Sequence, residues 1–98
     1  MMNENKRKTF GYYAECEFQN CLALLVRKHE DYGPGNILAF GNLGVLVRMN
    51  DKVERLKHLS KSGKEPKNET IEDTLRDIAN YAVIALMLRH KTFEAPIR

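Results

Sequence analysis

One stretch constrains the fold most: it begins at Asn68 or Thr70, either of which can cap a helix, and continues to about Lys91. It is a long helical pattern with more apolar surface than a small chain can easily cover. Its predicted core stripe recurs at three- and four-residue steps and consists of Leu75, Ile78, Ala82 and Leu86. The second half is apolar almost all round, because further apolar residues fill the other positions: Val83, Ile84, Met87 and Leu88. A chain of 98 residues can hardly bury such a helix alone. We therefore predict an all-α fold, a small bundle of three main helices that is completed by oligomerisation.

Two further helices are predicted before this one. The first extends from Tyr13 to Tyr32, and the turn GPGN at 33–36 ends it, because Gly permits positive φ and Pro cannot continue the hydrogen-bond ladder. The second extends from about Ile37 to Leu59, and Gly41 and Gly44 weaken its first part. We expect close packing or a break at these glycines.

One domain accounts for the whole chain. Residues 1–12 are predicted to be a flexible, basic N-terminus, residues 13–92 a single helical domain and residues 93–98 a C-terminal tail. No apolar run approaches the roughly 18 residues of a membrane span, and the first residues lack the apolar core of a secretory signal. We therefore expect a cytoplasmic protein.

The charge balance is mixed rather than strongly basic. Sixteen Lys and Arg residues face 13 Asp and Glu residues, for a net charge of +3, which argues against a nucleic-acid-binding tail. Cys16 and Cys21 are five residues apart, so on a helix they neither bridge each other nor match a metal-binding pair. We expect both to be free thiols.

An acidic cluster on the last helix is the first candidate site. Asp73, Asp77 and Asn80 project within about 60° of one another on a helix. Glu69 and Asp73 fall near the helix start, where the dipole favours them and Thr70 can form a cap. Asp77 lies past the first turn, and we expect it to face the interior with Asn80.

A buried carboxylate needs a partner, and two kinds remain open. The partner of Asp77 can be Arg48 or Arg55 of the middle helix, which would make a structural ion-pair network. Alternatively it can be Mg²⁺, which takes oxygen ligands and often bridges to a phosphate.

The middle helix supplies the opposite charge. Arg48, Asp51, Arg55 and His58 form one stripe, with Lys52 beside it. Such a stripe is commonly a solvated surface, but its guanidinium groups are also suited to bidentate contact with phosphate. The sequence contains no GxSxG, P-loop, HExxH or GxGxxG motif, so nothing indicates covalent catalysis.

The end of the first helix carries acidic residues where the helix dipole favours basic ones. Glu30 and Asp31 precede Gly33 there. Solvent and Arg27 can neutralise Asp31, so this feature gains weight only if it closes a pocket with the acidic cluster and the Lys52 and Arg55 pair. We interpret Asp31 and Tyr32 as a possible rim of that pocket.

Three segments in this order carry a family resemblance: DYG at 31–33, DKVERLKHL at 51–59 and ETIEDTLRDIANYAVIAL at 69–86. The chain resembles the nucleotide modification associated domain 1 family of small, largely phage and bacterial proteins. That family is similar to the all-α nucleoside triphosphate pyrophosphatases of the MazG and dimeric dUTPase type. The resemblance covers roughly residues 20–90.

The resemblance implies Mg²⁺-dependent attack of water on a nucleoside triphosphate, which needs charge neutralisation and an aligned water rather than a covalent nucleophile. By analogy, the catalytic and metal-binding residues would be Glu69, Asp73 and Asp77. The nucleotide would meet Asp31, Tyr32, Lys52, Arg55, Asn80 and Tyr81. The paired carboxylate motifs of MazG-type enzymes are absent in clean form, so the site can also bind a nucleotide without hydrolysing it.

Three functions therefore remain open for the same residues. The first is a phage-type nucleotide-binding protein with or without pyrophosphohydrolase activity. The second is a phage counter-defence protein that sequesters a nucleotide signal or binds a host protein. The third is a structural helical interaction module whose charged stripes are solvated.

Overall fold

The computed structural model describes residues 8–64, 66–67 and 69–98, and these fold into three α-helices without a strand. Helix α1 spans Phe10–Tyr32, α2 spans Gly35–Ser62 and α3 spans Ile71–Arg89. The predicted all-α class with three main helices is confirmed. Within the described residues, none of the three helices combines the length and apolar character that crossing a membrane requires.

Local signals set the helix ends. The Thr9 hydroxyl accepts the Tyr12 N–H at 3.2 Å and caps α1, while the Thr70 hydroxyl accepts the Asp73 N–H at 3.0 Å and caps α3. Gly33 ends α1 with φ 70°, a conformation that costs Gly little. The alternative N-cap of α3, Asn68, lies outside the described residues, as do the first seven residues of the predicted N-terminus.

The glycine-weakened part of α2 contains a break. Gly41 has φ 60° and ψ −149°, so the helical backbone is interrupted there and resumes beyond it. Only Gly adopts this conformation readily. The expectation of a break at these glycines is thus confirmed.

Helices α2 and α3 form the main packing unit. Arg55 lies beside Thr74 and Lys52 beside Asp77, so the two helices are antiparallel. The hydrophobic core between them is small and consists of Val45, Ile84 and Phe93, with other residues partly buried around it. In the described part of the chain, α1 contributes no fully buried residue.

The predicted core stripe of α3 is wrong. Leu75 and Leu86 are about half exposed and Ala82 is exposed, while Ile78 is only partly buried. The buried residues of α3 are Thr74, Asp77, Asn80 and Ile84. The helix turns these polar residues towards α1 and α2 because their partners lie on both helices, and this leaves the leucine stripe outside.

The C-terminal segment reaches further into the fold than the predicted tail at 93–98. After α3, the Thr92 N–H donates to the Met87 carbonyl at 2.9 Å and turns the chain back. Phe93 is then buried in the core and contacts His29 edge to face, with ring centroids 5.1 Å apart. Arg98 pairs with Glu30 of α1 at 3.2 Å. The segment therefore packs as part of the helical domain.

Candidate functional site

Three buried polar side chains follow one another along α3 at three-residue steps. They are Thr74, Asp77 and Asn80. Among the described residues, no buried side-chain nitrogen or oxygen lacks a hydrogen-bond partner. Burying polar groups is costly unless they are paired, so this stripe fixes how the other two helices meet α3. The predicted inward orientation of Asp77 and Asn80 is confirmed.

Asp77 joins all three helices. Asp77 is only 5% exposed, and its Oδ1 accepts a hydrogen bond from Lys28 Nζ of α1 at 2.8 Å. Its Oδ2 lies 3.1 Å from Lys52 Nζ of α2. A buried carboxylate with two ammonium partners is neutralised in place. Among the described residues, neither Arg48 nor Arg55 forms an ion pair with Asp77, so the predicted arginine partners are replaced by lysines.

Glu69 and Arg55 extend this network to the start of α3. Lys52 Nζ also donates to Glu69 Oε1 at 2.8 Å. Arg55 Nη2 donates to the Glu69 carbonyl at 2.7 Å, and the Thr74 hydroxyl donates to the Glu69 carboxylate. The junction is therefore a closed set of charge-assisted hydrogen bonds.

The network shifts two pKa values. Burial by itself raises the pKa of Glu69, but hydrogen bonds from Lys52 and Thr74 and the nearby charge of Arg55 outweigh it, and the pKa lies below its usual range. Burial lowers the pKa of Lys52, but its bonds to Glu69 and Asp77 outweigh this, and the pKa lies above its usual range. Both groups are therefore held in their charged forms.

Asn80 holds α1 by a different contact. Its Nδ2 donates to the backbone carbonyl of Cys21 at 3.0 Å. Together with the pair between Lys28 and Asp77, this is a polar attachment of α1 to α3. Cys21 and Cys16 are free thiols, as expected.

A cavity of about 500 Å³ opens beside this network. Its polar end carries three cationic side chains and one carboxylate: Lys28, Arg48, Lys52 and Asp77. Its remaining wall is mainly apolar and aromatic, and includes His29, Tyr32, Tyr81, Ile84, Phe93 and Ile97. Such a cavity can hold a ligand that has an anionic end and a flat, less polar end.

Arg48 differs from the other cations of the cavity. Lys28 and Lys52 are bonded to Asp77, whereas Arg48 has no ion pair or hydrogen bond through its side chain in the part of the chain that the structure describes. It is partly buried and lines the cavity. A guanidinium in this position is available to an anion that enters.

The structure brings together some of the predicted site residues and separates others. Five predicted residues line the cavity with Gly33: Tyr32, Lys52, Asp77, Asn80 and Tyr81. Glu69 and Arg55 do not line the cavity themselves. Glu69 is bonded to Lys52, which does, and Arg55 is bonded to Thr74. Asp31 is exposed and does not line the cavity.

The three carboxylates predicted to bind Mg²⁺ do not form one cluster. Glu69 and Asp77 meet at Lys52, whose ammonium occupies the position between them. Asp73 is half exposed and lies beside Arg76, with Oδ1 3.5 Å from Nη1. No group of three or more His, Cys, Asp or Glu residues suited to a metal ion occurs within residues 8–64, 66–67 and 69–98. The separation arises because Asp73 projects to the solvent side of the first turn.

Sequence reasoning missed Lys28 and Phe93 as parts of the site. Lys28 is one turn before Tyr32 on α1, so its charge was visible but its partner on α3 was not. Phe93 is the single aromatic residue after α3, and an isolated aromatic beyond a helix end is the signal that it packs back.

The family comparison agrees with the resemblance given above. A family model described as nucleotide modification associated domain 1 matches residues 28–88, which include all three segments from Asp31 to Leu86. The match covers more than half of the 98 residues, and the chain belongs to this family. No curated protein and no solved structure matches the chain.

Proposed function

We propose that this protein binds a nucleotide in the cavity between its helices. The phosphates lie at the polar end, against Arg48, Lys28 and Lys52, and the base lies in the apolar part beside Tyr32 and Tyr81. The family description, which associates these domains with nucleotide modification, supports a nucleotide over other anionic ligands. A volume of about 500 Å³ falls in the range of small-molecule sites.

The guanidinium of Arg48, which has no partner among the described residues, carries the proposal. Three cations and one carboxylate at the polar end leave a local excess of positive charge. Arg48 can meet a phosphate without breaking a bond within the protein, while Lys28 and Lys52 can share their protons between Asp77 and the ligand.

Binding is favoured over metal-dependent hydrolysis by the charges around the carboxylates. Asp77 and Glu69 are already neutralised by ammonium and guanidinium groups, and Asp73 is not beside them. These residues do not fit a three-carboxylate Mg²⁺ site. A protein that sequesters a nucleotide would use the same cavity without hydrolysing its ligand.

Isothermal titration calorimetry with nucleoside mono-, di- and triphosphates tests the proposal. We expect Arg48→Gln to weaken binding of the best nucleotide by about 10- to 100-fold, the worth of a charge-assisted bond. Arg76→Gln is the matched control: it removes the same charge, but Arg76 pairs with Glu72 and Asp73 at the surface. Equal affinity of Arg48→Gln and the wild type contradicts the site, and absence of binding by the wild type supports a structural module instead.

Chromatography of the nucleotide after incubation separates binding from hydrolysis. The wild type is incubated with each triphosphate, with and without added Mg²⁺, and then denatured. Recovery of intact nucleotide supports sequestration. Release of pyrophosphate with the monophosphate supports a pyrophosphohydrolase and contradicts our preference for binding alone.

A further inference from the structure

One face of the molecule is a groove between α1 and α3 with an apolar lining. Its volume is about 550 Å³, and Glu17 is the only charged residue among the described residues that line it. The apolar lining consists of Ala14, Phe18, Leu22, Leu25, Ala79 and Val83. Phe18 is 74% exposed, although an aromatic side chain normally contributes much of its area to a core.

Helical spacing extends the groove into a continuous apolar face. Leu75 lies one turn before Ala79, and Leu86 lies about one turn after Val83. Both are about half exposed. A single-chain protein rarely exposes a contiguous apolar patch above a few hundred Å², so this face needs a cover.

We propose that a second copy of this chain covers the face, with α1 and α3 of each copy forming a four-helix bundle. Two adjacent helical stripes are half of such a bundle, and a two-fold axis lets the same surface meet itself. This proposal concerns a groove that adjoins the nucleotide cavity, and it stands whether or not the cavity binds a nucleotide.

The size of the face fits a stable dimer. Helix α3 has 19 residues, which makes it about 28 Å long, and two helices side by side are about 20 Å wide. The footprint is on the order of 600 Å², close to the surface of about 800 Å² that each partner buries in a standard interface. A short peptide or a single helix would leave part of this width exposed.

The charge of the groove also favours a second copy. With one carboxylate among its described lining residues, it offers little to select a charged partner, whereas an identical apolar face matches it. Helix α1 has no fully buried residue of its own in the described chain, and a partner would supply the missing burial.

The dimer would also support one wall of the nucleotide cavity from behind. Leu22, Leu25, Asn80 and Val83 line both the groove and the cavity. A second copy in the groove would therefore hold α1 in the position in which Lys28 reaches Asp77.

Sedimentation of the unliganded protein at micromolar concentration tests the proposal. We expect the wild type to have a mass of at least two chains of 11.3 kDa, and Phe18→Lys to have half that mass or less. Phe40→Lys is the matched control, since Phe40 is 71% exposed but lies on α2 outside the groove. It should keep the wild-type mass, and circular dichroism should show the same helix content in all three proteins.

A monomeric wild type, an unchanged mass of Phe18→Lys, or an equal loss in Phe40→Lys overturns the proposal. If Phe18→Lys does not fold, hydrogen exchange of the wild type at low and high concentration decides. Protection that rises with concentration in residues 13–26 and 71–86 supports the dimer. A rise confined to residues 38–47 overturns it.

Discussion

Helix α3 buries polar residues on one face and exposes apolar residues on the opposite face, the reverse of a typical amphipathic helix. The face towards α1 and α2 buries Thr74, Asp77 and Asn80, and each of these side chains has a defined hydrogen-bond partner. The other face exposes Leu75 and Leu86, with Ala79 and Val83 between them. Polar groups are buried where their partners lie in the same chain, and apolar groups are exposed where, on our proposal, the partner is another chain.

This difference separates what fixes the geometry of the fold from what would drive association. The hydrogen bonds of the polar face are directional, so they set the position of α1 and α2 relative to α3. The hydrophobic effect at the apolar face is non-directional, and any matching apolar surface that buries this face lowers the free energy. The nucleotide cavity lies beside the first and shares wall residues with the second.

Removal of the carboxylate at the centre of the polar face should have the largest effect. We expect Asp77→Ala to lower the free energy of unfolding by about 2–3 kcal/mol, because Lys28 and Lys52 lose their shared acceptor. This is below the value for a fully buried pair, since both lysines can partly reach water. Urea denaturation monitored by circular dichroism measures the change.

Asp73→Ala is the matched control for this experiment. It removes the same group four residues earlier on α3, where the carboxylate is half exposed and contacts Arg76. Its cost should stay within about 0.5 kcal/mol. Similar losses for the two variants would show that the polar face is not the anchor we describe.

The effect of a substitution on the apolar face should depend on the protein concentration. We expect Leu75→Gln to lower the free energy of unfolding by about 1 kcal/mol per chain where the protein is associated, and by less than about 0.5 kcal/mol when it is dilute. Leu75 is 52% exposed in the single chain, so the larger cost arises from the partner. Urea denaturation at two chain concentrations makes the comparison.

Leu43→Gln serves as its control, because Leu43 is exposed on α2, away from the groove. Its cost should be the same at both concentrations. If Leu75→Gln is equally independent of concentration, the two faces of α3 do not differ in the way proposed.

The helices were predictable because their signals are local. The end of α1 at Tyr32, the Thr70 cap and the break at Gly41 each depend on a few neighbouring residues. The start of α1 was missed, because the helix begins at Phe10, three residues before the predicted Tyr13. Hydrophobic periodicity also identified Leu75 and Leu86 as residues that need cover. It could not say whether that cover comes from the same chain, and the prediction that they form the core was wrong for the described chain.

The candidate site was predictable only in part, for the same reason. Asp77 was correctly placed inside because its position past the first turn leaves no capping role. Its partners were not found, because the contact with Lys28 depends on how α1 docks and spans 49 positions of sequence. Phe93 was missed because a turn after α3, not a periodic pattern, brings it into the core.

The smallest expected effect is the response of the polar face to acid. The pKa of Glu69 is lower in the folded chain than its ordinary value of 4.5, so the folded state binds fewer protons. The stabilisation is therefore complete above about pH 4.5 and is lost as the pH falls through the lower folded pKa. We expect it to be less than about 1 kcal/mol, since the side chain is partly exposed.

The difference in unfolding free energy between the wild type and Glu69→Gln should hold from pH 7 to pH 5 and shrink below pH 5, as urea denaturation across this range would measure. Glu72→Gln, which removes an exposed carboxylate paired with Arg76, should show little difference at any pH. A difference for Glu69→Gln that persists at pH 3 would mean that its carboxylate does not act through charge, and that the polar face is held by packing in the same way as the apolar one.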